Sequence, residues 1–373
     1  MLFFFVYWKK SSKFAHKRNV TIKYYKMLND IDISEDYIFS LSPKLLSLLL
    51  IDHTTSTAEK QHNIFWATND YENLGEGYSY HDEITIENIT GEHNYIIQPR
   101  VKKNRNQQIE RTKKKAEVFT PTWVCNEQAN AMDEIWFGRE NVFNTPTTDE
   151  SGKHGWISEK EKISFPKDKS WQDYLQQNVL EITCGEAPYL ACRYDAATGE
   201  SIPTKNRIGM LDRKLRIVCE NTNDHATWLN AAKISFMSTY GYEWQGDSLL
   251  LARESLLWTA IDWFYEKFKS QMPLEELFSF ANIISWNLWQ MDGLKGVIPD
   301  SCKNGVEEEV VEYADSFFPT TVKKIVYCES CQKGWVNHHN GIECIITDWI
   351  KDFNNPRQGE KEKFVNLYRN ESA

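Results

Sequence analysis

The chain has 373 residues, of which 41% are apolar and 13% aromatic, a composition that excludes an intrinsically disordered protein and suits about two or three folded units. Its formal net charge of -10 argues against a general nucleic-acid coat but leaves room for a local basic surface. Eight scattered cysteines, with no small secreted framework around them, point to a reducing compartment and a cytoplasmic location.

The opening "MLFFFVYWKK" is too short an apolar run to span a bilayer and has no basic segment ahead of it, so neither a membrane partner nor a targeting signal is expected. Residues 1–26 read as a poorly integrated extension, because Met27 opens the more ordinary "MLNDIDISEDYIF". In the N-terminal region, residues 27–115, "SPKLLSLLLIDH" predicts a helix with Ser42 as its N-cap. The polar, aromatic "NIFWATNDYENLGEGYSYHDEITI" predicts turns and short strands. The stretch from Arg100 to Lys115 carries eight basic residues against Glu110 alone. It reads either as a solvated linker or as an arm in which Lys102, Lys103, Arg105, Arg111, Lys113, Lys114 and Lys115 contact DNA phosphates.

"AEVFTPTWVCNEQANAMDEIWF" predicts a helix capped by Thr120 or Thr122, with Val124, Ala129, Met132 and Ile135 on its inner side. A polar loop is expected from about Asn144 to Lys169. From Asn178 strands and helices alternate: a strand in "NVLEIT", a helix in "APYLACRYD", a connection with helical character in "GMLDRKLRIVCEN", a helix in "HATWLNAAKISFMSTY", a strand ending "GYE", a long helix in "SLLLARESLLWTAIDWFYEKF", then a helix and a strand around Ile284 to Trp289. Such alternation implies βαβ units and a mostly parallel sheet. The expected organisation is an α/β core over residues 116–300 and a Cys-rich module over residues 301–373.

Four stretches carry the functional reading. "EVFTP" offers a Thr-Pro turn beside a helix start. "VLEITCGEAPYL", Val179 to Leu190, runs a short apolar strand into a small-residue turn, where backbone N–H groups gather polar ligands unless it is an ordinary βα turn. "YGYEWQGDSLLLARESLL" places an acid, Glu243, at a strand end, and "NLWQMDGL" places Asp292 at another. In this order they resemble the adenine-N6 DNA methyltransferases of restriction-modification systems, over about residues 117–294. The resemblance implies a Rossmann-like core that binds S-adenosylmethionine, with Thr120 and Pro121 along the donor and Thr183, Cys184 and Gly185 forming its turn. It further implies that Glu181 pairs with the donor's amino group, Glu243 holds the ribose hydroxyls, Trp244 covers the adenine and Asp292 accepts from the adenine amino group.

The pattern departs from the family in two places. Ala187, followed by Pro188, stands where a second glycine is usual. The Asn-Pro-Pro-Tyr signature is missing: no Pro-Pro pair occurs, and the nearest text, "NNPR" from Asn354, reads as a surface turn. No residue therefore takes a catalytic role. The resemblance implies a modification (M) subunit acting on DNA, with a partner subunit for catalytic, specificity or endonuclease function. The alternative is a non-catalytic DNA-binding or assembly subunit on the same fold.

Finally, "CESCQKGWVNHHNGIEC" sets Cys328 and Cys331 at C-x-x-C spacing, with His338, His339 and Cys344 beyond. Two thiolates from one tight turn, with Cys344 and His338 from the return, suit structural zinc in tetrahedral coordination; Cys302 is the alternative to a histidine as fourth ligand. Unligated reduced thiols are the other reading.

Overall fold

The computed structural model describes residues 31–103, 120–312, 320–335 and 338–369. The N-terminal region opens with helices α1 (Glu35–Leu41) and α2 (Pro43–Leu50). Helix α2 starts where the sequence predicts: Ser42 is extended, and Pro43, which has no N–H to leave unpaired, takes the first turn. Its Leu45, Leu46, Leu49 and Leu50 are buried. Turns, isolated bridges and the single-turn helix α3 (Ile86–Ile89) follow.

Helix α4 (Thr122–Phe137) forms as expected but is rotated about its axis. Met132 and Ile135 are 49% and 85% exposed, while Cys125, Asn126, Ala129, Asp133 and Phe137 are buried. The cause is a buried polar network that draws Asn126 and Asp133 inward. The Arg213 guanidinium donates to Asn126 Oδ1 at 2.8 Å and to Asp133 Oδ2, and Tyr174 donates its hydroxyl to Asp133 at 2.7 Å. The expected polar loop instead contains an antiparallel hairpin, β1 (Asn144–Thr148) with β2 (His154–Ser158), and is followed by the short helix α5 (Trp171–Gln176), opened by a Ser170/Asp173 capping box.

The centre of the molecule is a three-stranded parallel sheet in the order β3 (Val179–Glu181), β4 (Thr239–Glu243), β5 (Leu288–Gln290). Helices α6 (Met210–Asn221) and α7 (His225–Met237) connect the first pair of strands; α8 (Gly246–Phe268) and α9 (Leu274–Asn287) connect the second. The alternation read from the sequence is thus present as a mixed α/β fold. Helix α8 is buried along most of its length, as its apolar residues on every face require. Its Arg253, 1% exposed, donates to the carbonyls of Leu49 at 2.6 Å, Ile51 at 3.0 Å and Leu288 at 2.6 Å, and so ties the N-terminal helices to the sheet. The strand expected from Ile284 starts later, because α9 continues to Asn287.

The helix expected in "APYLACRYD" does not form. Residues 187–209 are turns and irregular chain, apart from a Tyr194–Ser201 bridge and a single 3-10 turn at Thr204–Asn206, and α6 begins only at Met210. Ala187 holds a left-handed φ of 58°, outside the range a right-handed helix requires, and Pro188 after it disfavours the helical region for that residue. Tertiary bonds hold the segment instead. The Cys192 N–H donates to Asp212 at 2.9 Å, and the Arg193 and Arg207 guanidinium groups both reach Asp262, at 3.1 and 2.6 Å.

Beyond β5, residues 296–298 run beside 342–344, with the Ile298 N–H donating to the Ile342 carbonyl at 2.8 Å and the Cys344 N–H to Gly296 at 3.0 Å. The C-terminal module adds the hairpin β6 (Val306–Glu312) with β7 (Thr320–Val326), helix α10 (Glu329–Lys333), the hairpin β8 (Ile345–Ile350) with β9 (Arg357–Lys363) and helix α11 (Asn366–Arg369). A small core of Tyr242, Trp289, Met291, Ile298, Cys344, Ile346 and Phe364 seats it against the sheet. "NNPR" lies in the turn leading into β9. Among the described residues, no helix is long and apolar enough to cross a membrane.

Candidate functional site

A cavity of about 1480 Å³ opens at the carboxyl ends of β3 and β4. In a parallel sheet the crevice beyond these ends is where ligands collect, because the turns there present backbone donors at a diverging edge. One wall is the turn Thr183, Cys184, Gly185, Glu186; another is Glu243, Trp244 and Gln245; α4 contributes Gln128, Ala129 and Met132. Further lining comes from the N-terminal region, through Asn69, Asp70, Tyr71 and Tyr80.

Glu243 and the turn after β3 hold each other. One Glu243 oxygen accepts from the Gly185 N–H at 2.8 Å, and the other accepts from the Gln245 N–H at 3.2 Å. Gly185 has a φ of 54°, and nothing stands within 4 Å of where its Cβ would be, so backbone conformation rather than crowding calls for glycine. Thr183 and Ala187 adopt the same left-handed region, with φ of 45° and 58°. Each costs on the order of 1–3 kcal/mol, which the packing around the turn offsets. Ala187 is fully buried, and its methyl belongs to the core rather than to the cavity lining.

Glu181 is 9% exposed and folds back under its own loop, accepting from the Tyr189 and Leu190 N–H groups at 3.4 and 3.2 Å. Burial pushes its pKa up to about 8, with the charge of nearby Glu243 adding to the rise. Burial also raises the Glu243 carboxyl above its ordinary value, against the lowering effect of its backbone donors. Burial thus favours the neutral form of Glu181 relative to an ordinary carboxyl. Trp244 donates its indole N–H to the Tyr80 hydroxyl at 2.9 Å, joining its wall to the N-terminal region. Thr120 lines the cavity; Pro121, the N-cap residue of α4, does not.

Asp292 departs from its expected position. It lies outside the lining, accepts from the Leu294 N–H at 3.0 Å and pairs with Lys295 at 3.0 Å, as a turn residue does. The described lysines of the basic stretch also differ from an outward arm. Lys102 pairs with Asp32 at 3.4 Å, and Lys103, 8% exposed, lines the cavity with its ammonium 3.6 Å from Asp247. Arg105, Arg111, Lys113, Lys114 and Lys115 lie outside the described residues. Asn69, Asp70, Tyr71 and Tyr80 carried no local signal, since they reach the cavity only through packing of the N-terminal region on α8. Gly246 marks that approach: its N–H donates to the Trp66 carbonyl at 3.1 Å, and a Cβ on it would meet the Phe65 carbonyl oxygen at 2.1 Å.

A second cluster lies in the C-terminal module. The ligand atoms of Cys302, Cys328, Cys331 and His339 all fall within 4.8 Å of one another, an arrangement able to hold a metal such as zinc. This corrects the expected set. His338 has a left-handed φ of 62°, its carbonyl accepts from the Ser330 hydroxyl at 2.8 Å, and the turn so formed brings in the next histidine. Cys344 is fully buried in the small core against the sheet, its thiol 3.5 Å from the Gln290 carbonyl. Burial acts to raise the Cys328 thiol, but backbone donors at Cys331 and Asn340, with Cys302 and His339 beside it, bring it down to about 6.

Comparison of the chain with protein-family models, with curated proteins and with solved structures gives no match.

Proposed function

We propose that the chain binds S-adenosylmethionine in the cavity at the ends of β3 and β4 and serves as a DNA adenine-N6 methyltransferase-like modification subunit. The observation that carries this reading is Glu243 at the carboxyl end of β4, locked to the Gly185 N–H of the neighbouring turn and flanked by Trp244 on the cavity wall. A carboxylate held at that strand end is suited to accept ribose hydroxyls, and the indole and Tyr80 ring to cover a base. The donor would supply an electrophilic methyl on a sulfonium. A cation brought beside Glu181 favours its ionised form, so binding is coupled to loss of its proton. Asn69, from the N-terminal region, offers an amide, one of the group types that the missing signature would have contributed toward a flipped adenine.

The test is calorimetric titration of the full chain with S-adenosylmethionine. Micromolar binding is expected, weakened about 10–100-fold by Glu243→Gln, the scale for a hydrogen bond to a charged group. A folded wild-type chain that gives no heat at high concentration overturns the donor reading. A second reading, a DNA-binding or assembly subunit, is favoured by Asp292 pairing with Lys295 outside the cavity and by Glu181 being satisfied by its own loop. Retention of DNA on a filter with no transfer of labelled methyl, even with a partner subunit present, supports that second reading.

A further inference from the structure

The Cys302, Cys328, Cys331 and His339 side chains bring their ligand atoms within 4.8 Å of one another, around a space that one cation can fill. Cys302 Sγ is 3.6 Å from Cys331 Sγ, and the three sulfurs lie 3.4–3.5 Å from a single atom, His339 Nδ1. One ring nitrogen accepts from one S–H at a time, so three sulfurs at this distance exceed what its single lone pair can hold. The other ring nitrogen, Nε2, is 3.0 Å from the Trp335 carbonyl. A carbonyl only accepts, so Nε2 carries the proton and Nδ1 turns its lone pair toward the sulfurs. A carbonyl on the far nitrogen is the usual partner of a metal-bound imidazole.

The spacing matches one ion class. With bonds of about 2.3 Å to sulfur and about 2.0–2.1 Å to nitrogen, a tetrahedral ion sets ligand edges of about 3.8 Å between sulfurs and about 3.5 Å between sulfur and nitrogen. The observed separations of 3.6 Å and 3.4–3.5 Å are close to these.

We propose that these four residues form a closed Zn²⁺ site that fastens the C-terminal module to the end of the parallel sheet. The closure follows from having four protein ligands and no vacant position, the pattern of structural rather than catalytic zinc. The fastening follows from where the ligands come from. Cys302 belongs to the chain leaving β5, a few residues beyond the 296–298 segment, whereas the other three belong to the module's α10 turn and its return. Supporting bonds hold these pieces in register. Asn340 accepts from the Lys303 N–H at 2.9 Å and donates to the Lys303 carbonyl at 2.8 Å, and Asn304 accepts from the Cys328 N–H at 3.1 Å. Metal binding by thiols releases their protons and, because the ligands come from separate segments, contributes directly to their assembly. The inference stands apart from the methyl-donor reading, since none of these residues lines the cavity.

The experiment uses the full chain purified under reducing conditions, with zinc measured by mass spectrometry and Co²⁺ exchanged in as a spectroscopic probe. About one zinc per chain is expected, and Co²⁺ should give thiolate charge-transfer bands with the strong visible absorption of a tetrahedral centre. Cys302→Ser and His339→Gln should lose the metal or alter that spectrum, and Asn340→Ala should weaken affinity about 10–100-fold through its supporting bonds. His338→Gln should keep both stoichiometry and spectrum. Chelation should speed tryptic cutting at Lys323, Lys324 and Lys333. A reduced, folded wild-type chain without thiolate-bound Co²⁺ overturns the site, as does retention of the ion by His339→Gln with its loss in His338→Gln. Proteolysis unchanged by metal removal overturns the fastening role.

Discussion

The turn after β3 and the knuckle around Cys328 each gather polar groups about a point, but they are satisfied in opposite ways. Around the turn both carboxylates have donors within the protein: Glu181 takes the Tyr189 and Leu190 N–H groups, and Glu243 takes those of Gly185 and Gln245. Around the knuckle three sulfurs converge on one imidazole lone pair, which can accept from one of them at a time. A satisfied site keeps its shape without a ligand and binds by exchange of partners, whereas an unsatisfied one depends on its ion for order. The comparison predicts that the two regions respond differently to the same perturbations.

The largest effect is expected at the knuckle. Removing the metal with a chelator, or replacing Cys328 by Ser, should lower the melting temperature by on the order of 10 °C, as read by calorimetry at constant pH, while the parallel sheet keeps its far-ultraviolet signal. Equal loss of structure in both regions would break the distinction. Next comes the network behind the cavity wall. Asp133→Ala leaves the Arg213 guanidinium buried and without its carboxylate, and should cost about 3–5 kcal/mol in urea unfolding. A cost below about 1 kcal/mol would mean that this network does not hold α4 in its rotated setting.

The pH response should locate the satisfied site. The folded-state pKa of Glu181 is about 8, above its ordinary value of 4.5, so the folded protein keeps a proton that the unfolded chain releases. That contribution is fully present below about pH 4.5 and is lost as pH rises through about 8. Melting temperatures measured between pH 5 and pH 9 should fall less steeply for Glu181→Gln than for the wild type. Parallel slopes would place the titration elsewhere. Affinity for a cationic donor should rise over the same window, as Glu181 gives up its proton. The smallest effect is expected for Ala187→Gly, where relief of left-handed strain offsets loss of a buried methyl. A stability change of about 1 kcal/mol or less in urea unfolding is predicted, and a loss above about 2 kcal/mol would show that packing dominates the turn.

Much of the core was legible from local pattern. Helices α2 and α6 to α9 and strands β3 to β5 carry apolar runs and end signals that act within a few residues, so their order could be read directly. The cap at Ser42 and the acid ending β4 are of this kind. The failures share a cause. Nothing near Met132 and Ile135 reveals that Arg213, far along the chain, pulls the opposite face of α4 inward. Nothing in "APYLACRYD" reveals that Asp212 and Asp262 will hold it as irregular chain. The choice between His338 and His339 depends on one residue's left-handed backbone, and spacing alone cannot register it.

The sequence by itself determined the alternation of strands and helices, the strand ends carrying Glu181 and Glu243, and a C-x-x-C pair awaiting further ligands, because periodicity, capping and thiol spacing are local properties. Tertiary structure alone decided which side chains share a space. It turned Lys103 inward and Asp292 aside, brought Asn69 into the cavity lining and Tyr80 against Trp244, and joined Cys302 to His339. These outcomes depend on burial and on paired charges between distant segments, whose energies exist only once the chain has closed on itself.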